Sequence, residues 1–371
     1  MRATTGKFRW IALGVGVAAI GAAAAVAFTR VPPERTAVAA PLTLKIKIDA
    51  PALGAPAPGP PKFAETLDVS TFQRGNLHTH SKWSDGDRPP KDVYTWYRSH
   101  GYAFLAITDH ENRVSPETFA ALERPGFVII AGEEVTMNAE GKPVHVNGLC
   151  TKKSIGGGRF NTKREALLHG IGRVHEQGGV ALVNHPNFDW ALTMDDVRVT
   201  RGAELLEIWS GHPYVNTEGS AERPSHEAVW NTLLDEGWSI AGVAVDDAHH
   251  LGLTKPDTKP ARPGKGWVQV FANKPDRALI CEGLAKGRLY ASSGVTLTRI
   301  RVTENKLSVW PKEEGAVVAF IGAGGKEIAK VGRGPEGDAS YELRGDESWV
   351  RARITLPDGK MAWTQAYRVT R

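Results

Sequence analysis

The sequence predicts an α/β fold, a barrel of seven or eight strand–helix units over residues 66–295 followed by a small all-β sandwich over 296–371. Three observations predict it. Short β-branched runs alternate with amphipathic helical patterns up to about residue 295, the pattern of a parallel sheet with crossover helices. Successive predicted strands end in His, Asp or Glu, as in barrels whose strand ends converge on one mouth. Beyond 295 the helical period gives way to short alternating strands divided by Gly, Asp and Pro turns.

The strands are expected at 75–77, 103–107, 127–131, 144–149, 180–183, 205–208, 240–245 and 266–271, and the helices at 91–100, 163–177, 225–236 and 275–286. Gly101, Gly178 and Gly237 follow three of these helices, where a left-handed residue closes the last turn. After 295, strands are expected at 298–302, 307–309, 317–321, 341–343, 350–354 and 362–369, with a Pro357-Asp358-Gly359 turn before the last.

The amino-terminal part differs in composition. Residues 10–28 are uncharged and dominated by Ala, Val, Ile and Gly after a short basic stretch, which predicts an export signal within residues 1–40. It is either cleaved after Ala37-Val38-Ala39 or retained as a membrane anchor. No Arg-Arg pair precedes the run, so export unfolded, with metal loaded afterwards, is expected. Residues 41–65 are rich in Pro and Ala and read as a linker.

Charge argues against nucleic acid as a partner. Of the formal +5, four charges come from residues 1–40, where Arg2, Lys7, Arg9, Arg30 and Arg35 face only Glu34. The remaining body is nearly neutral and lacks the basic footprint that phosphate backbones demand. Two cysteines, Cys150 and Cys281, both lie in apolar contexts and are expected to be buried free thiols rather than a disulfide.

The histidines carry the chemistry. In Asn76-Leu77-His78-Thr79-His80 two imidazoles alternate along a strand and fall on one face. Ser84-Asp85-Gly86 follows, and later strands end in Thr108-Asp109-His110, Gly132-Glu133-Glu134, Asn184-His185-Pro186 and Asp246-Asp247-Ala248-His249, with His145 on another. A lone His beside a strand is more often a packed or surface group, and His100, His169, His175 and His226 are read so because they fall on helices. Six imidazoles and three carboxylates gathered without a cation would be severely costly to bury, so the joint pattern points to metal. Ligands of this kind without thiolate suit zinc, manganese or iron.

With H-x-H-x4-D-G, T-D-H, N-H-P and D-D-A-H on the page, the sequence resembles the polymerase and histidinol phosphatase (PHP) family of metallohydrolases, and within it the carbaryl-hydrolase-like (CehA/McbA-type) branch. The likeness runs over roughly 67–371 and includes Leu289-Tyr290-Ala291-Ser292-Ser293-Gly294 and Ala362-Trp363-Thr364-Gln365. The resemblance implies a distorted barrel of about seven units enclosing two to three divalent ions. It implies His78, His80, Glu134 and Asp247 around a first ion, Glu134, His145 and His185 around a second, and Asp85, His110 and His249 around a third. Glu134 is chosen over Glu133 by the family's G-x-E pattern.

The reaction so implied is hydrolysis of a small-molecule phosphoester by a metal-bridging hydroxide, since paired cations both activate water and polarise the scissile group. A carboxylic or carbamic ester is the alternative on the same centre. An exported metal- or glycan-binding module without turnover is the alternative of another class, and an amidohydrolase barrel is disfavoured because no central-strand Lys is evident. Asp109 and Asp246 are expected to accept imidazole N–H bonds, and His212 to contact substrate or donate a proton. Arg113, Lys152 and Arg159, the last two in a Gly-rich loop, are candidate anion contacts. Trp83, Trp190, Trp209 and Tyr214 are candidates for a binding mouth.

Overall fold

A computed structural model describes residues 60–252 and 259–371. The expected export signal, and the linker up to residue 59, lie outside the described residues. Among the described residues no helix is long and apolar enough to cross a membrane.

The helices form where the sequence places them. They span Pro90–Ser99, Lys163–Glu176, His226–Asp235 and Arg277–Ala285. Thr162 caps the second through a capping box with Glu165, Ser225 accepts from Ala228 N at the third, and Asp276 accepts from two amides at the fourth. Gly101, Gly178 and Gly237 sit at φ of 78°, 65° and 80°, the left-handed conformation that glycine adopts without steric cost.

The sheets depart from a ring of parallel strands. Phe72–Asn76, Phe104–Leu105 and Val128–Ile129 run parallel, as do Val180–Val183, Leu205–Ser210 and Ala241–Val245. Between these groups, Gly132–Ala139 and Lys142–Leu149 form an antiparallel hairpin, and the second of them is antiparallel to Val180–Val183. Trp267–Phe271 is antiparallel to both Phe72–Asn76 and Leu289–Ser292. A continuous barrel is not shown: the strands fall into two mixed sheets, linked through the isolated bridges Thr79–Ala248 and His110–Glu134. The reason is local: Glu140-Gly141 gives a tight turn with φ of 54° and 73°, and a two-residue turn returns the chain antiparallel where a crossover helix was needed.

The residues after 296 do not close on themselves. Met361–Thr364 pairs with Leu289–Ser292, so one sheet runs across the expected boundary, and an unpaired edge at Leu289–Ser292 is avoided. Lys62–Phe63 pairs with Tyr367–Thr370, and Leu67–Val69 with Leu297–Val302, which ties the two ends of the described chain together. The described residues form a single compact unit. The core beneath these strands includes Ile300, Val309, Phe320, Val350 and Tyr367, all buried.

Cys150 and Cys281 are joined in a disulfide across 131 residues, with Cα atoms 6.1 Å apart, which corrects the expectation of free thiols. Apolar flanks mark burial but say nothing of distance, and the fold brings the end of Lys142–Leu149 against the Arg277–Ala285 helix. Reduction, or Cys150→Ser, should lower stability by up to about 4 kcal/mol, the scale set by closing a long loop in the unfolded chain. Thermal unfolding with and without reductant measures it, and an unchanged midpoint with both thiols titratable would count against the bond.

Candidate metal centre

His78 and His80 stand just beyond Phe72–Asn76, held in extended register by Asp247 N to His78 O (2.9 Å) and His80 N to Ala248 O (2.8 Å). Asp247 itself has φ of 48°, a costly conformation for a non-glycine residue, and such outliers collect at functional sites. Gly86 closes the Asp85 turn, where a Cβ would lie 2.6 Å from His80 O. Glu134 lies within the eight-residue strand Gly132–Ala139 rather than at a strand end, and His145 faces it from the hairpin partner, where it is paired with Thr136.

All nine sequence-selected ligands converge, in four overlapping groups whose donor atoms lie within 4.8 Å of one another. His78 Nε2 and His80 Nε2 are 3.1 Å apart, 3.1 and 3.2 Å from Glu134 Oε2, and 3.4 and 3.3 Å from Asp247 Oδ1. His145 Nδ1 and His185 Nε2 lie 2.9 and 3.3 Å from Glu134 Oε1. His110 Nε2 and His249 Nε2 lie 3.6 and 3.3 Å from Asp85 Oδ2. Glu134 thus touches two groups at once, and its neighbour Glu133 faces away.

This donor set fits divalent ions. His78 Nδ1 is 2.6 Å from Glu207 Oε1, which places its proton there and leaves Nε2 with a bare lone pair aimed at His80. Two imidazole nitrogens 3.1 Å apart repel unless a proton or cation lies between them. The His78 and His80 nitrogens lie 3.1 to 3.4 Å from each other, from Glu134 Oε2 and from Asp247 Oδ1, near the roughly 3.4 Å edge of a tetrahedron of ligands at about 2.1 Å. His145 Nδ1 is buried and makes no hydrogen bond of good geometry despite its closeness to Glu134. Without a cation the cluster attracts protons: burial opposes charge on His80, yet Asp247 and Glu134 outweigh it and raise its pKa to about 9. The same two carboxylates, with Glu207, outweigh burial at His78 and raise its pKa well above the ordinary range.

No family model matches the chain. It is 30% identical over 188 residues to a 5'-3' exoribonuclease of Haemophilus influenzae, an alignment covering 48% of this chain and 65% of that protein. The chain therefore spans slightly less than two thirds of that relative. Among solved structures it is similar to a two-domain protein of Bacteroides vulgatus described as "containing predicted PHP-like metal-dependent phosphoesterase", with 16% identity, a TM-score of 0.45, and 85% of this chain and 99% of that one covered. It is also similar to an amidohydrolase of Chromobacterium violaceum, with 16% identity, a TM-score of 0.34, and 51% and 93% covered.

Around the cluster several expected roles change. Asp109 accepts from Ser81 N (2.7 Å), Ser81 Oγ (2.5 Å) and Ser84 Oγ (2.7 Å), so it shapes the loop carrying Asp85 and meets no imidazole. Asp246 accepts from Tyr97 Oη and from the amides of Lys265 and Gly266. The imidazole acceptor that sequence reasoning missed is Glu207, buried in the Leu205–Ser210 strand, whose Oε2 also accepts from His185 N at 2.9 Å. Its signal was a carboxylate in the middle of Leu-Leu-Glu-Ile-Trp, which only metal or a buried donor explains.

Of the expected anion contacts, Arg113 is engaged elsewhere. Arg113 donates to Thr151 O through two nitrogens and pairs with Glu117. The Gly-rich loop directs amides to Glu133, which accepts from Ser154 Oγ, Ile155 N and Gly156 N, while the Lys152 and Arg159 side chains are exposed. A buried carboxylate has the same need for N–H donors as a phosphate, and it sits in the same chain. His212 does lie at the cluster, its ring centroid 5.2 Å from that of His249, and burial holds its pKa down at about 4. His226 is buried and accepts from Asn187 N, in keeping with a packing role. Trp209 donates to Lys265 O and packs on Trp363, away from a binding role, whereas Trp83 is 45% exposed and rests on Phe119.

Proposed function

We propose that this chain is an exported metal-dependent phosphoesterase. The observation that carries the reading is the convergence of six imidazoles and three carboxylates whose donor atoms face one another at 2.9 to 3.7 Å. His78, His80 and Asp247 with Glu134 would hold one ion, Glu134 with His145 and His185 a second, and Asp85, His110 and His249 a third. Divalent ions so placed lower the pKa of water and offset charge on a phosphoryl oxygen. The residues' own part is to hold this geometry. Glu207 fixes the His78 tautomer, Asp109 fixes the Asp85 loop, and the buried carboxylates supply negative charge that favours a cation among the imidazoles.

A phosphoester is favoured over a carboxylic or carbamic ester by the sequence likeness to an exoribonuclease, an enzyme of RNA phosphodiesters. Export is supported by the apolar run at 10–28 and by the Cys150–Cys281 disulfide, which persists in oxidising compartments. The purified protein should carry at least two equivalents of zinc, manganese or iron and hydrolyse bis(4-nitrophenyl) phosphate, losing activity to a chelator and regaining it with metal. Assay of 4-nitrophenyl acetate and of a 5'-phosphorylated oligoribonucleotide separates the ester and RNA readings. Full metal content with turnover of acetate alone would replace the phosphoester by a carboxylic ester; no bound metal would end the proposal.

A further inference from the structure

The cluster is bordered by two loops that are locked to each other, and what they display is aromatic. Phe188 follows His185-Pro186-Asn187, with its ring 5.1 Å from His185, 6.2 Å from His145 and 6.5 Å from His212. Tyr214 follows His212, with ring centroids 5.8 Å apart, and is 54% exposed. Large exposed aromatic rings are scarce on a folded surface. Among the described residues the two that stand out, Tyr214 and Trp83, both neighbour cluster residues in the chain.

The loops are built, not loose. Asn187 Nδ2 donates to Asn216 O and Asn216 Nδ2 returns a bond to Asn187 O, each at 3.2 Å, while Asn187 also donates to Pro224 O. Asp189, Trp190 and Asn216 all have left-handed φ, at 51°, 53° and 57°. Lys142 holds the Asp189 carbonyl and Arg223 the Trp190 carbonyl, so the strained turn behind Phe188 is clamped from two sides. Backbone strain that surrounding bonds over-determine is the kind retained where a side chain must be held ready. Tyr214 N donates to His212 Nδ1 at 3.3 Å, which leaves the His212 proton on Nε2.

We propose that Phe188 and Tyr214 form a preset wall for a planar aromatic group of the substrate, with His212 Nε2–H between them donating to an oxygen of the ester. This rests on the phosphoesterase reading and names its substrate class: a phosphoester whose alcohol carries a flat ring beside the scissile bond. A simple aryl group and a nucleobase share that chemistry. Phe188 and Tyr214 offer ring faces that stack without sequence-like hydrogen-bond selection.

Binding of non-hydrolysable phosphonates to the metal-loaded full chain, followed by calorimetry, tests the wall without requiring turnover. Benzylphosphonate should bind roughly tenfold more tightly than methylphosphonate, a modest value for one aromatic stack. In Tyr214→Ala that ratio should fall toward one, and in Tyr214→Phe it should persist. A nucleoside phosphonate bound more tightly than benzylphosphonate would identify the ring as a base; the reverse order would identify a simple aryl group. Equal binding of benzyl and methyl compounds by the unaltered protein, a ratio unchanged in Tyr214→Ala, or no binding of either compound overturns the proposal. A ring preference that survives in a protein without phosphoester turnover would instead refute the reaction while keeping the wall.

Discussion

Glu134→Gln should strip the protein of most of its metal and reduce phosphoester turnover on the order of a thousand-fold, as expected when several kcal/mol of charge stabilisation is lost. The carboxylate is the hub of the cluster. Its Oε2 lies 3.1 to 3.4 Å from nitrogens of His78, His80 and His110, and its Oε1 faces His145 and His185 while accepting from Asn184 Nδ2 at 2.8 Å. An amide keeps the shape, so the fold should survive. It removes the negative charge and offers an N–H to nitrogens that already need a cation or proton between them. Elemental analysis beside an unfolding curve checks the pair of expectations. Retention of two equivalents with normal turnover would show that the carboxylate does not bridge.

Glu207→Gln should weaken metal retention by roughly ten- to a hundred-fold with the fold intact, the usual cost of removing a hydrogen-bonded support behind a metal-bound His. The effect arises from hydrogen-bond donors. Glu207 accepts from His78 Nδ1 at 2.6 Å with one oxygen and from His185 N at 2.9 Å with the other. A glutamine has a single oxygen for these two donors. Whichever way the amide turns, its NH2 faces an N–H, either pushing the His78 proton onto Nε2, where a ligand lone pair is needed, or leaving His185 N unsatisfied. His78 and His185 share a donor group with Glu134, and His78 belongs to a second group as well, so one substitution disturbs both. Competition with a chelator measures the effect, and an unchanged off-rate for metal would mean that the carboxylate only fills space.

The two expectations differ in how far they could be read from the chain alone. A carboxylate at 133–134 was legible among the ligand-type motifs, the resemblance to the PHP family singled out Glu134, and strand period placed His78 and His80 on one face before any contact was known. The helices with their glycine stops were legible for the same reason: propensity, capping and termination are local. Glu207 was not selected, since one carboxylate in an apolar strand has no local partner, and its two donors lie 129 and 22 residues away.

The same division explains the errors. Arg113 and the Gly156-Gly157-Gly158 loop carry the right chemistry for an anion, but the acceptors they serve are internal, the Thr151 carbonyl and the Glu117 carboxylate in one case and Glu133 in the other. Asp109 and Asp246 adjoin ligands in sequence, yet their carboxylates turn to serines, a tyrosine and backbone amides. Neighbours along a chain share a strand, and successive residues on a strand point to opposite faces. Residue types and their spacing by themselves determined that this protein gathers imidazole and carboxylate at strand ends, because ligation demands those groups and periodicity orients them. The tertiary structure decided the mixed sheets, the disulfide, the service of Glu207 and the locked aromatic loops, because each depends on atoms distant in sequence coming within a few ångströms.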